Sequence, residues 1–223
     1  MPKRVLRWLT PGKEKAATSG YAADTPLRSA RYAVLDTEFT SLDHRTNRLL
    51  SVGVVTMEGA SIRMGEQFYR VLNPGVEVPA STVLVHKLRP KDIEQGEPPL
   101  RVLAELRDHV AGAVLVGHFI KMDVDLLRKE LQATKKSLNN SAVDTARVHC
   151  WLLRKGRYSE DLFHRLEKID LVSLAKTYGI EIREAHHALD DAFVTARLWQ
   201  KMIHQLEAHG VKTLGALLKI GSW

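Results

Sequence analysis

Cysteine is almost missing from this chain of 223 residues: Cys150 stands alone. One thiol cannot build an internal disulfide framework or an all-cysteine metal site, and it suits a reducing cytoplasm. Long apolar runs are missing as well. No segment reaches the roughly 18 residues that a membrane span needs. The opening "MPKRVLRWLTPGKEK" is basic but lacks the apolar stretch of a cleaved signal peptide. Internal repeats and low-complexity tracts are absent too, which removes solenoid and disordered classes from consideration.

What is present is enough apolar material, 44% of residues, for one ordinary domain with decorations or two small ones. The formal net charge of +7 and a pI near 9.5 point to a polyanionic partner. Pro2, Pro11, Gly12, Gly20 and Pro26, with little periodicity, mark residues 1–29 as a basic arm. Its Lys3, Arg4, Arg7, Lys13 and Lys15 suit phosphate contacts. A domain is expected over 30–210, followed by a short tail, 211–223.

Within the domain three strand-like runs come first, near 31–36, 48–57 and 61–72, with "MEGA" as the turn between the second and third. Helical spacing follows at 100–112, a short apolar strand at 113–118, a helix at 121–132, and a strand at 142–144. Helices are expected near 145–154 and 169–178, and a long one over 189–210 ends at Gly210. Strands that can pair antiparallel, then alternating helix and strand, predict an α/β domain with a mixed sheet flanked by helices.

The stretch "YAVLDTEF" drives a buried strand into two carboxylates. Alternate residues share a strand face, so Asp36 and Glu38 point the same way and repel. Either they splay into solvent or a cation sits between them. Three more acids fall at element ends: Asp123 opens a helix, Asp144 ends a strand, and Asp191 lies five residues after His186. Ligands collect at the carboxyl ends of strands in such sheets. Asp36, Glu38, Asp123 and Asp191 around one cleft would demand hard cations, Mg²⁺ or Mn²⁺. Two such ions about 3.5–4 Å apart suit an in-line phosphoryl displacement. A nearby histidine suits proton transfer near neutral pH. Each acid also has a plainer reading: a helix-start aspartate serves the dipole or the cap, and Asp144 is read as a cap.

The segments "VLDTEF", "LVGHFIKMDVDLL" and "HHALDDAFVTA", in that order and with the His-x4-Asp spacing of the third, resemble the three exonuclease motifs of the DEDDh family. The resemblance runs over about residues 30–205 and implies a ribonuclease H-like fold. Carried over by position, it implies that Asp36, Glu38, Asp123 and Asp191 hold two divalent ions and that His186, not His187, is the general base. It also implies that Thr37, Phe39, Leu42 and His86 border the terminal nucleotide. Phe119, Met122 and Lys87 depart from the usual pattern without removing a ligand or the base. The implied activity is 3′→5′ exonucleolytic release of nucleoside 5′-monophosphates from single-stranded ends, DNA before RNA. An oligoribonuclease-like or RNA-trimming enzyme is the alternative, and a non-catalytic nucleic-acid adaptor is the reading from another class. No polymerase-binding segment is evident after the domain, which favours a stand-alone cytoplasmic enzyme.

Overall fold

The computed structural model describes residues 20–41, 43, 45–78, 87–132, 136–155, 169–182 and 186–223. Five strands, β1 (Arg31–Phe39), β2 (Leu49–Glu58), β3 (Ser61–Val71), β4 (Val114–Gly117) and β5 (Ala142–Asp144), form one sheet in the order β3-β2-β1-β4-β5. The first three strands pair antiparallel, whereas β4 lies parallel to both β1 and β5. The sheet is therefore mixed, as the order of elements predicts. Among the described residues the α-helices are α1 (Pro90–Glu94), α2 (Pro99–His109), α3 (Lys121–Leu131), α4 (Thr145–Lys155), α5 (Leu171–Thr177), α6 (Ala188–Ala208) and α7 (Leu214–Gly221). None among the described residues is long and apolar enough to cross a membrane.

The period of two along β1 sorts its side chains onto two cores. Tyr32 and Val34 face α6, and Ala33 and Leu35 face α2 and α3. On the α6 side, Trp199 is fully buried and its ring meets Tyr32 edge-on at 5.5 Å. Truncating such a residue to alanine costs about 3–5 kcal/mol, so Trp199→Ala is the single change that most weakens this layer. Strand β1 runs three residues beyond the expected 31–36, so the acidic motif is itself paired strand.

The packing does not change at residues 29 or 210. Leu27, in the expected arm, is buried, and its backbone N–H bonds the Lys212 carbonyl at 3.0 Å. The expected tail forms α7, capped by Thr213, whose hydroxyl accepts from the Ala216 N–H at 3.4 Å, and it buries Leu214 and Leu217 in the α6-side core. The spacing of "LGALLKI" marks an amphipathic turn or two, but what it covers is set by distant strands.

Candidate active site

Three parallel strand ends define one edge of the sheet: Phe39 of β1, Gly117 of β4 and Asp144 of β5. The acidic end of β1 lies on this edge. A register shift between Glu38 and Phe39 against β2 breaks the ladder just there, a local kink that re-aims side chains at a sheet end. Asp36 and Glu38 continue the Tyr32–Val34 row, the face that α6 covers.

Helix α6 comes close because of a missing side chain. Gly53 of β2 stands directly across from Asp36, and a Cβ on it would lie 2.4 Å from the Leu189 backbone nitrogen. Only glycine lets the first turn of the helix rest on the strand here. With the helix seated, one carboxylate oxygen of each of Asp36, Glu38 and Asp191 lies within 4.8 Å of the other two. Burial first, then the neighbouring Asp123, Glu38 and Asp191, hold the Asp36 carboxyl well above the usual range. Asp191 is also raised, mainly by burial. Carboxylates crowded in this way favour protonation or a cation over bare mutual repulsion.

Asp123 approaches from the other face of β1. It is buried, and its Oδ1 accepts from the Thr37 hydroxyl at 2.6 Å and from the Thr37 backbone N–H at 3.1 Å. Burial pushes it up to about 7 in spite of those donors. The four expected ligands thus form a largely buried group of three, Asp36, Glu38 and Asp191, with Asp123 held beside Asp36 on Thr37. Thr37, expected to border the nucleotide, is buried at 4% exposure, and its hydroxyl is turned inward to Asp123. A residue between Asp36 and Glu38 points to the opposite sheet face, so its neighbour is α3. Phe39 is half-buried against the α2–α3 core. Leu42 and His86 lie outside the described residues.

His186 is exposed, with φ of 68°, and its backbone N–H donates to Asp191 Oδ2 at 3.0 Å. The left-handed backbone is unusual outside glycine. It belongs to the turn into α6, whose first turn carries Asp190 and Asp191 at the positive end of the helix dipole. His187 takes another path. Its Nδ1 is 3.1 Å from Asp190 Oδ2, and its ring lies over Tyr69 of β3 with centroids 4.7 Å apart.

Asp144 behaves as the cap it was expected to be. Its Oδ1 accepts from the Ala146 N–H at 2.9 Å at the start of α4, and from the Phe119 N–H at 3.2 Å. Gly53 and Tyr69 were not singled out from the sequence. A glycine inside the apolar run "LLSVGVVT" was the available signal, since such residues mark close backbone approach. Tyr69 carried none.

The sequence profile of the exonuclease family matches residues 33–199. The chain belongs to this exonuclease family. It is 29% identical over 188 residues to a PolC-type DNA polymerase III of Clostridium perfringens, covering 82% of this chain and 12% of that one. It is 29% identical over 199 residues to a DNA polymerase III subunit epsilon-like protein of Rhodobacter capsulatus, covering 88% and 27%. With the DNA polymerase III epsilon subunit of Aquifex aeolicus, identity is 28% over 182 residues, covering 81% and 84%. The chain therefore spans under a third of the length of the first two relatives. Among solved structures, E. coli exonuclease I in complex with a dT13 oligonucleotide superposes with a TM-score of 0.67 at 15% identity, covering 81% of this chain and 42% of that one. The nuclease domain of 3′hExo, a DEDDh family member bound to rAMP, gives 0.63 at 13% identity, covering 79% and 92%. The mixed five-stranded sheet flanked by helices is the ribonuclease H-like fold of these exonucleases.

Proposed function

We propose that the protein is a metal-dependent 3′→5′ exonuclease that releases nucleoside 5′-monophosphates from single-stranded nucleic acid, DNA in preference to RNA. The observation that carries this reading is the carboxylate group Asp36, Glu38 and Asp191, drawn within 4.8 Å beside a histidine tethered to one of its members. The donor set fits a hard divalent cation: it offers only carboxylate oxygens, crowded and partly buried, with Asp36 and Asp191 displaced toward protonation. Asp36, Glu38 and Asp191 would hold Mg²⁺ or Mn²⁺, and Asp123 would complete the set from its place on Thr37. Bound there, two divalent ions supply Lewis acidity to the attacking and leaving oxygens of an in-line phosphoryl displacement.

The remaining roles belong to the chain itself. His186 takes the proton of the attacking water, and its exposed position leaves it accessible to that water. Asp191 fixes the His186 backbone through its Oδ2. Thr37 orients Asp123 with two hydrogen bonds. Phe39, half-buried next to the acids, borders the terminal nucleotide, together with Leu42 and His86, and aromatic rings hold unstacked bases well. The preference for DNA follows the naming of the relatives as DNA polymerase III proteins. A polymerase partner is compatible with these relatives but is not needed for the chemistry.

The test is release of nucleotide from 3′-labelled single strands of DNA and of RNA, with Mn²⁺ and with excess chelator. Metal-dependent release that is lost in Asp36→Ala is expected. Full activity in chelator overturns the two-metal reading. Faster release from RNA moves the assignment to an RNA-trimming enzyme. Tight binding without release from any strand leaves an adaptor.

A further inference from the structure

The geometry points to Tyr69 as a positioning residue that holds the general base in place through a ring stack with His187. This inference rests on the assignment of His186 as that base. One row crosses the sheet: Asp36 of β1 stands opposite Gly53 of β2, and Gly53 stands opposite Tyr69 of β3. Its neighbour Phe68 belongs to the α2–α3 core, so Tyr69 points to the α6 side, as Asp36 does.

The first turn of α6 rests on the middle of this row, over Gly53. It is then held at both ends. On one side Asp191 joins Asp36 and Glu38. On the other the His187 ring packs on Tyr69 at 4.7 Å and 36°, with Asp190 3.1 Å from His187 Nδ1. The His187 side chain accepts no capping hydrogen bond from the backbone of α6. Nδ1 makes no hydrogen bond, so the ring is placed by its packing on Tyr69 rather than by capping.

His186 is the residue that needs this support. It is exposed, its backbone is left-handed, and the one hydrogen bond described for its backbone N–H goes to Asp191. Fixing the next residue, His187, by a ring stack limits the freedom of the peptide that carries the base. A base must stay within hydrogen-bond reach of the attacking water, and small misplacements lower turnover without changing affinity for the strand.

The test compares Tyr69→Leu, Tyr69→Phe and His187→Leu, each alone and in a His186→Ala background. Two measurements are made: steady-state kinetics on a single strand, and hydrogen exchange of the His186 backbone amide. An aromatic pair of this kind corresponds to about 3- to 10-fold in rate. Tyr69→Leu and His187→Leu should each lower kcat by about that factor with KM unchanged. Tyr69→Phe should stay near the parent, because it keeps the ring. In the His186→Ala background the loss should disappear, since there is no base left to misplace. The His186 amide should exchange faster in the leucine variants while amides in the middle of α6 do not change. Three results overturn the inference: a loss that persists without His186, a Tyr69→Phe as damaging as Tyr69→Leu, or an unchanged His186 amide. If the parent protein releases no nucleotide at all, the nuclease reading fails on its own. The exchange measurement then still decides whether Tyr69 holds this segment.

Discussion

Asp36 and Asp144 are both aspartates at the carboxyl edge of the same sheet, yet their surroundings are opposite. Asp144 accepts two backbone N–H groups, from Ala146 and Phe119, and burial leaves it at about 6. Asp36 has the charges of Asp123, Glu38 and Asp191 around it, and is driven well above the usual range by burial and by those charges. The first carboxylate is satisfied by the fold. The second is crowded by like charges, an arrangement that costs stability unless a cation joins it. Position at a strand end does not separate a structural acid from a functional one; the partners do.

The sharpest way to break this contrast is substitution at the crowded site. Asp36→Asn should lower turnover by about 10²–10⁴-fold, the several kcal/mol expected of lost metal-assisted charge stabilisation. In chelator the same variant should be more resistant to urea than the parent, because a buried repulsion is gone. A variant that is inactive and also less stable in chelator would show that Asp36 has a structural role like that of Asp144. His186→Ala should lose turnover over a similar range, about 10²–10⁴-fold, with strand binding retained. His187→Ala should cost much less. The reverse order would shift the base by one residue.

At Asp144 the signs should invert. Asp144→Ala leaves two backbone N–H groups without their acceptor and should cost about 1–3 kcal/mol in urea unfolding. Any loss of activity should follow the loss of folded protein. A large fall in kcat in a fully folded Asp144→Ala would place this residue in the chemistry.

The pH dependence sharpens the comparison further. Asp36, Asp123 and Asp191 all have folded-state values raised above those of the unfolded chain, with Asp123 at about 7. The stability they contribute is fully present below about pH 4, the unfolded value. It is lost as pH rises through their folded values. Metal-free protein should therefore lose stability between about pH 4 and pH 7. Mg²⁺, which binds the ionised form, should raise Tm more at pH 8 than at pH 5.5. Each kcal/mol corresponds to about 2–4 °C for a chain of this size. An equal rise in Tm at both pH values would count against the carboxylates as the ligands.

The smallest effect is expected for the basic N-terminal stretch. Deleting residues 1–19 should leave turnover on a short oligonucleotide nearly unchanged and raise KM only for long strands at low salt, as phosphate contacts weaken with salt. Deletion to residue 28 is a different experiment. It removes Leu27, fully buried, and the Arg28–Glu207 ion pair at 2.8 Å. The loss of a buried leucine alone costs about 2–5 kcal/mol. Equal stability of the two truncations would show that Leu27 is dispensable to the core.

The sequence by itself determined the strand that ends in Asp36 and Glu38, the long helix beginning near Asp191, and the mixed α/β order. These depend on local periodicity and on turn chemistry, which are written residue by residue. It also determined which acids to watch, because "VLDTEF" and "HHALDDAF" carry their spacing within single elements. Only the tertiary structure decided that Asp123 is tied to Thr37 on the opposite face, that Gly53 opens the path for α6, and that Tyr69 meets His187. It also decided that residues on both sides of the expected domain belong to its core. Each of these joins residues 86 to 185 positions apart, and a contact of that range leaves no period in the sequence to read.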